Sequence, residues 1–88
     1  MPAKGMDVQA VRSTAAALRA AADEFEAVGQ ELAQSLDEVD WSGPDAVRFR
    51  SRWTTEIGPQ IQRMRDAAHE LSLTALRDAA EQEAVSTS

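Results

Sequence analysis

The sequence predicts an all-α fold, an antiparallel hairpin of two long helices that is expected to dimerise into a four-helix bundle. Two observations carry this prediction. Apolar residues recur at helical spacing in both halves of the chain, and a Gly-Pro pair interrupts them near the middle. Two long helices joined by a turn of about four residues must lie antiparallel. We expect residues 1–88 to form a single domain.

The first helix is predicted over about residues 7–39, with Asp7 as its N-cap. Its apolar positions follow one another at alternating steps of three and four, the spacing at which one helix packs along another. They are Val8, Val11, Ala15, Leu18, Ala22, Phe25, Gly29, Leu32, Leu36 and Val39. Gly29 has no side chain and would admit a bulky residue of the facing helix, unless Val28 supplies the core contact there.

The break between the helices is predicted at residues 40–43. Gly43 reaches backbone angles that other residues resist, and Pro44 starts a helix well but cannot continue one. Ser42 followed by Asp45 resembles a capping box, although Asp is a weaker partner in it than Glu. This pattern predicts a tight turn followed by a new helix.

The second helix is predicted over about residues 44–82, with a frayed tail at 83–88. One apolar stripe runs along it: Ala46, Phe49, Trp53, Ile57, Ile61, Met64, Ala68, Leu71 and Ala75. Pro59 removes a backbone donor, so we expect either a kink or two shorter helices at 44–57 and 59–82.

Association with a second chain is expected because the core of one hairpin would be thin. Of the 38 apolar residues 17 are Ala, which leaves 21 bulky ones. Leu73 and Leu76 lie off the main stripe, and the second apolar edge that they form would pack against another neighbour. The residues assigned to the core or to the dimer contact are Leu18, Phe25, Leu32, Phe49, Trp53, Ile57, Ile61, Leu71, Leu73 and Leu76.

The composition argues against several classes of function. The net charge of −6 disfavours nucleic-acid binding, which needs a basic face, and a chain without Cys has no disulfide or thiolate metal site. His69 has Asp66 at i−3 but no nucleophile in a recognisable motif, so we expect no catalysis, cofactor, metal or small-molecule substrate.

Arg48, Arg50 and Arg52 alternate along the helix and spread around it, which predicts solvated, ion-pairing side chains.

Charged residues interrupt every stretch that is long enough to cross a membrane, and residues 1–10 lack the apolar run of a signal peptide. Export by the general secretory route is therefore not expected. Either the chain stays in the cytoplasm, or a dedicated machine recognises its folded form.

The stretch from Trp41 to Phe49 resembles the Trp-x-Gly turn of the WXG100 (ESAT-6-like) family, and Trp53 matches a further aromatic of that pattern. Chain length, the mid-chain position of the motif and the two flanking helices match as well, so the resemblance covers essentially the whole chain. It implies a non-enzymatic protein that a type VII secretion system exports as a folded dimer. Such a protein is secreted without a cleavable signal peptide, from a cytoplasmic pool.

The resemblance also implies partners. Trp41 and Gly43 would form a recognition turn for the secretion ATPase, and the dimer would be a homodimer or a heterodimer with a paralogous WXG100 protein. The family's Tyr-x-x-x-Asp/Glu export motif is missing, because the chain has no Tyr and only Glu81 and Glu83 stand where it would fall. In the family the turn of one subunit lies beside the Tyr motif of the other, so a partner would complete the signal.

Two alternative functions stay open on the sequence. The hairpin would serve in one case as a targeting partner that escorts a larger type VII toxin. In the other it would be a cytosolic structural hairpin that has no connection with secretion.

Overall fold

The computed structural model describes residues 6–87. The fold is all-helical, and no strand occurs within those residues. Helix α1 spans Val8–Glu38, and a second long helix consists of α2 (Pro44–Arg52), a π-helical turn (Trp53–Ile57) and α3 (Gly58–Thr87). The molecule measures 66 × 18 × 17 Å, the proportions of an extended hairpin. The predicted fold class is confirmed at this level, and dimerisation stays a prediction.

Helix α1 begins where the sequence predicts. The side chain of Asp7 accepts a hydrogen bond from the Ala10 amide at 3.1 Å, which satisfies one of the free amides of the first turn. At the other end Val39 has extended backbone angles, and its amide donates back to the Ser35 carbonyl at 3.0 Å. The predicted N-cap is confirmed, and the helix ends one residue before the predicted boundary.

The connection between the long helices turns at Gly43. This residue has a φ of 103°, a conformation that L-residues rarely adopt, and Pro44 is the first residue of α2. The predicted capping box is wrong. Gly43 takes the N-cap position in place of Ser42, and Asp45 pairs with Arg48. Because Gly43 has no side chain, the first turn of α2 has no side-chain cap.

The second long helix continues past Pro59 without a break. The turn before it, Trp53–Ile57, is one residue wider than an α-helical turn, and the Gly58 amide donates to the carbonyl five residues back. Such a turn shifts the hydrogen-bonding register, so the missing donor of a proline is accommodated within a continuous helix. The alternative of two separate helices at 44–57 and 59–82 is therefore wrong.

Helix α3 extends to Thr87, beyond the predicted end at residue 82. The prediction of a frayed tail at 83–88 is wrong for the described residues, and Ser88 lies outside them. The Arg12 guanidinium donates to the two Glu83 carboxylate oxygens at 2.7 and 3.3 Å. This contact ties the last turns of α3 to the first turns of α1, as an antiparallel pair of helices allows.

Small side chains form the seam between α1 and α3. The buried residues of this seam are Ala15, Ala22, Ala68, Ser72 and Ala79. The Ser72 hydroxyl donates to the His69 carbonyl at 2.6 Å, so its burial leaves no hydroxyl donor unsatisfied. Small residues bring the helices close together, but each buries little apolar surface, so the seam contributes a thin core.

The predicted stripe of the second helix is wrong at three positions. Phe49 is 42% exposed at the start of this helix, and the other two positions lie in α3. Met64 and Leu71, which were expected between the helices, are 54% and 56% exposed. Arg65 is half-buried and Ser72 buried in their place. These polar residues fit because the Arg65 guanidinium pairs with Glu26 and the Ser72 hydroxyl bonds within its own helix. Leu71 adds little to the core of one hairpin, and its role in a dimer stays a prediction.

Gly29 gives α1 the close approach that its position on the stripe predicts. A Cβ atom at Gly29 would lie 3.4 Å from Ile61 Cγ2, which is van der Waals contact. Other bulky residues assigned to the core lie at the margins of the seam. Those that are half-buried are Leu18, Phe25, Trp53, Ile57 and Ile61.

Candidate interaction surface

One edge of the contact between α1 and α3 carries ion pairs. Arg12 pairs with Glu83 near the chain ends, and Arg65 pairs with Glu26 and with Asp66 farther along. The hydrogen bond from Arg12 lowers the pKa of Glu83 below its usual value, and the hydrogen bonds to Glu26 and Asp66 raise the pKa of Arg65. The Glu83 carboxylate and the Arg65 guanidinium are therefore charged at neutral pH. We call this side of the hairpin the charged edge.

The opposite edge carries apolar side chains. Helical spacing places Leu32 on the flank of α1 away from Glu26, and Leu71 on the flank of α3 away from Arg65. Since Glu26 and Arg65 meet on the charged edge, the two leucines share the other side. The same spacing adds the remaining members of this surface. We call the following set the apolar face: Leu18, Val28, Leu32, Met64 and Leu71.

Most of the apolar face is exposed to solvent. Val28 and Leu32 of α1 are exposed, as are Met64 and Leu71 of α3. Exposed aliphatic side chains on the same side of both helices make this side of the hairpin a candidate contact surface.

Leu73 and Leu76 lie elsewhere on α3. They follow His69 by four and seven residues, so they share its side of the helix, and His69 lies with Arg65 in a polar cleft on the charged edge. Leu73 is 51% exposed, and Leu76 is exposed as well. The second apolar edge that the sequence predicts is thus separate from the apolar face, and smaller.

The apolar face continues into a cavity of about 400 Å³ at the tip of the hairpin, where residues 39–43 connect α1 to α2. Leu32 belongs to both surfaces. The lining of this tip cavity is otherwise almost entirely apolar: Leu36, Val39, Trp41, Phe49, Trp53 and Ile57, with Ser35. The predicted core residues Phe49, Trp53 and Ile57 are therefore brought together, but around an open cavity at the tip.

Trp41 forms one wall of the tip cavity. Its ring lies 5.7 Å from the ring of Phe49 at an angle of 54°, a favourable tilted arrangement, and the side chain is 40% exposed. Gly43, two residues later, provides the change of direction into α2. Both members of the predicted recognition turn therefore lie at the tip, and the indole is available from outside.

Arg50 has a role that its sequence spacing does not predict, since the alternation groups it with Arg48 and Arg52 as a solvated side chain. Those two do form the expected local ion pairs, with Asp45 and Glu56 respectively. Arg50 is half-buried, and its guanidinium binds three backbone carbonyls at the tip. The last turn of α1 contains no basic residue that could bind its free carbonyls. This absence is a sequence signal that a basic side chain of the other helix could take that place.

Within residues 6–87 no group of three or more His, Cys, Asp or Glu side chains could hold a metal ion. None of the helices in that range is both long and apolar enough to cross a membrane. Comparison of the chain with protein-family models, curated proteins and solved structures gave no match. The resemblance to the WXG100 family therefore stays a prediction from the sequence motif.

Proposed function

We propose that the chain is a non-enzymatic helical hairpin of the WXG100 type, which a type VII secretion system exports in folded form as a dimer. The observation that carries this proposal is the position of Trp41 and Gly43 at the tip between two long helices, next to an open apolar cavity. A half-exposed indole on an apolar surface is a good anchor for a protein partner. The partner proposed for this anchor is the secretion ATPase.

Dimerisation belongs to the proposal because of the apolar face. Full burial of a Leu or Met side chain contributes about 1.5–3 kcal/mol, and residues such as Leu32 and Leu71 are exposed in the single hairpin. A second hairpin laid on this face would complete a four-helix bundle and compensate for the thin seam of small residues. The second hairpin is either a copy of the chain or a paralogue.

The lack of Tyr favours a partner that completes the export signal. The chain contributes the Trp-x-Gly part and has no residue for the Tyr-x-x-x-Asp/Glu part. In a heterodimer the partner would supply that motif beside the tip.

Export of the tagged chain from a strain with a working type VII system tests the proposal. We expect the chain in the culture fluid when the secretion ATPase is present and only in the cells when the ATPase is deleted. Trp41→Ala should reduce export without loss of helix content. Val47→Ala is a matched control, because Val47 is a highly exposed apolar residue of α2. Equal export with and without the ATPase would refute the proposal.

Native mass spectrometry tests dimerisation separately. The purified chain is measured alone and mixed with the product of the neighbouring small open reading frame. We expect either a homodimer of the chain alone or a 1:1 heterodimer in the mixture. A monomer at micromolar concentration in both samples would contradict the dimer.

A second candidate function keeps the fold and changes the role. The missing Tyr also suits a targeting partner that escorts a larger type VII toxin. Co-purification with a toxin of several hundred residues would favour the escort role. A complex only with another hairpin of similar length would count against it.

A further inference from the structure

Arg50 links α2 to the end of α1 and to the connecting segment at residues 39–43. Its Nη1 donates to the Trp41 carbonyl at 2.8 Å. Its Nη2 donates to the carbonyls of Leu36 and Val39 at 3.3 and 3.4 Å. One side chain therefore binds the last turn of α1 and two points of the connection that follows it.

The electrostatics of α1 explain why a cation is stable at this place. The last carbonyls of a helix lack amide partners and carry partial negative charge. The last turn of α1 ends in Asp37 and Glu38 and contains no basic residue, so its own side chains increase the negative potential. Arg50 supplies the missing positive charge from the other long helix and provides hydrogen-bond donors at the same time.

The contacts also define the position of Trp41. Its amide donates to the Val39 carbonyl at 3.0 Å, and its own carbonyl accepts from Arg50. The indole packs against Phe49, which precedes Arg50 on α2. Both the backbone and the ring of Trp41 are thus attached to neighbouring residues of α2, next to the tip cavity.

We propose that Arg50 is the positioning residue of the recognition turn. Its hydrogen bonds hold the connecting segment so that Trp41 is presented at the tip. The consequence for export rests on the proposed function. The consequence for the conformation of the connecting segment does not. Lys is a poor replacement, because a single ammonium group lacks the planar fork that reaches three carbonyls at once.

Amide hydrogen exchange followed by NMR tests the positioning role in the purified full chain, in whichever oligomeric state native mass spectrometry finds. Arg50→Met removes the donors and the charge, and Arg50→Lys keeps only the charge. Arg48→Met and Arg52→Met are matched controls, because each removes a neighbouring arginine that has a local ion pair. The signals to follow are the Val39 and Trp41 amides and the Trp41 indole N–H.

In Arg50→Met we expect the Val39 and Trp41 amides to exchange about tenfold faster or more, as expected for loss of charge-assisted hydrogen bonds. The Trp41 indole signal should also shift. Arg50→Lys should restore only part of the protection, and both control variants should match the wild type. Amides around Ala22 in the middle of α1 should keep their protection.

Three results would overturn the positioning role. The first is unchanged exchange of the Val39 and Trp41 amides in Arg50→Met. The second is an equal increase in exchange in Arg48→Met. The third is loss of helix along the whole chain in Arg50→Met, because the contact is local to the tip. Export of the same variants separates this inference from the proposed function. Suppose that Arg50→Met loosens the turn and Trp41→Ala removes its indole, but both variants are exported at the wild-type level. The positioning role of Arg50 then stands, and the recognition role of the turn fails.

Discussion

Arg12 and Glu83 are 71 positions apart in the sequence, and their side chains form an ion pair at 2.7 Å. The pair joins the first turns of α1 to the last turns of α3 and lies at the open end of the hairpin. The tip has a corresponding long-range contact, the one from Arg50 to the connecting segment. Each end of the hairpin is therefore closed by one arginine that bonds across the two helices.

Removal of the Arg12–Glu83 pair should loosen only the end of α3. In Glu83→Gln we expect faster amide exchange after about residue 80 and little change in melting temperature, because exposed ion pairs contribute little to global stability. Hydrogen exchange followed by mass spectrometry on the C-terminal peptide measures this. Glu81→Gln makes the same change of net charge on the same helix and serves as the control. Equal loosening in both variants would argue against a specific pair.

Acid should have the same local effect as Glu83→Gln. The hydrogen bond from Arg12, and then its charge, lowers the pKa of Glu83 from the usual value of 4.5. The contribution of the pair is therefore complete above about pH 4.5 and is lost as the pH falls through the lower pKa of the folded chain. Exchange of the α3 end should rise in this pH range in the wild type, after correction for the intrinsic pH dependence. In Glu83→Gln the rise should be absent.

Gly43 should not tolerate an L-residue without a cost. Its φ of 103° lies in a region that L side chains rarely adopt, and no atom lies within 4 Å of the position that a Cβ would take. The cost of Gly43→Ala is therefore backbone strain alone, about 1–3 kcal/mol in the free energy of unfolding. Chemical synthesis with D-Ala at position 43 provides the control, because a D-residue adopts positive φ without strain. Urea denaturation should show a loss in Gly43→Ala and none with D-Ala.

Local signals in the sequence are sufficient to predict α1 and the start of α2. The Asp7 cap, the heptad spacing of α1 and the Gly43-Pro44 pair each act within a few residues, and α1 and the start of α2 lie within one residue of the predicted bounds. The connection begins at Val39 rather than at residue 40 because Val39 takes extended backbone angles.

Features that depend on the facing helix were not predicted. The apolar pattern predicts Met64 and Leu71 at the seam, but both are exposed. Arg65 is half-buried there instead, because Glu26, 39 positions away, pairs with it. Likewise, Glu83 near the end of α3 pairs with Arg12 of α1, and Arg50 binds the carbonyl of Leu36 in α1. No pattern within a single helix encodes such partners, since each needs the register of the two helices to be known first.

Gly29→Ala should stabilise the hairpin slightly. Ala is favoured over Gly inside a helix by up to about 1 kcal/mol, and a Cβ at this place would meet Ile61 Cγ2 at 3.4 Å, a contact distance without overlap. The melting temperature should therefore rise by roughly 4–8 °C per kcal/mol gained, as for other domains of this size. Gly29→Leu should lower it, because a larger side chain would occupy the space of Ile61. A rise in Gly29→Leu as large as in Gly29→Ala would show that the helices do not pack closely here.

Leu71 and Leu73 should differ in their effect on the proposed dimer. Both are exposed leucines of α3, but Leu71 belongs to the apolar face and Leu73 lies on the side of the charged edge. A lysine on the apolar face would have to lose its hydration when a second hairpin covers it, at a cost of several kcal/mol. We expect Leu71→Lys to weaken dimerisation by about 100-fold or more and Leu73→Lys to leave it nearly unchanged. Sedimentation equilibrium of both variants, with their helix content checked by circular dichroism, measures this difference. If Leu73→Lys is the disruptive change, the dimer uses the smaller Leu73–Leu76 edge and the apolar face has another occupant.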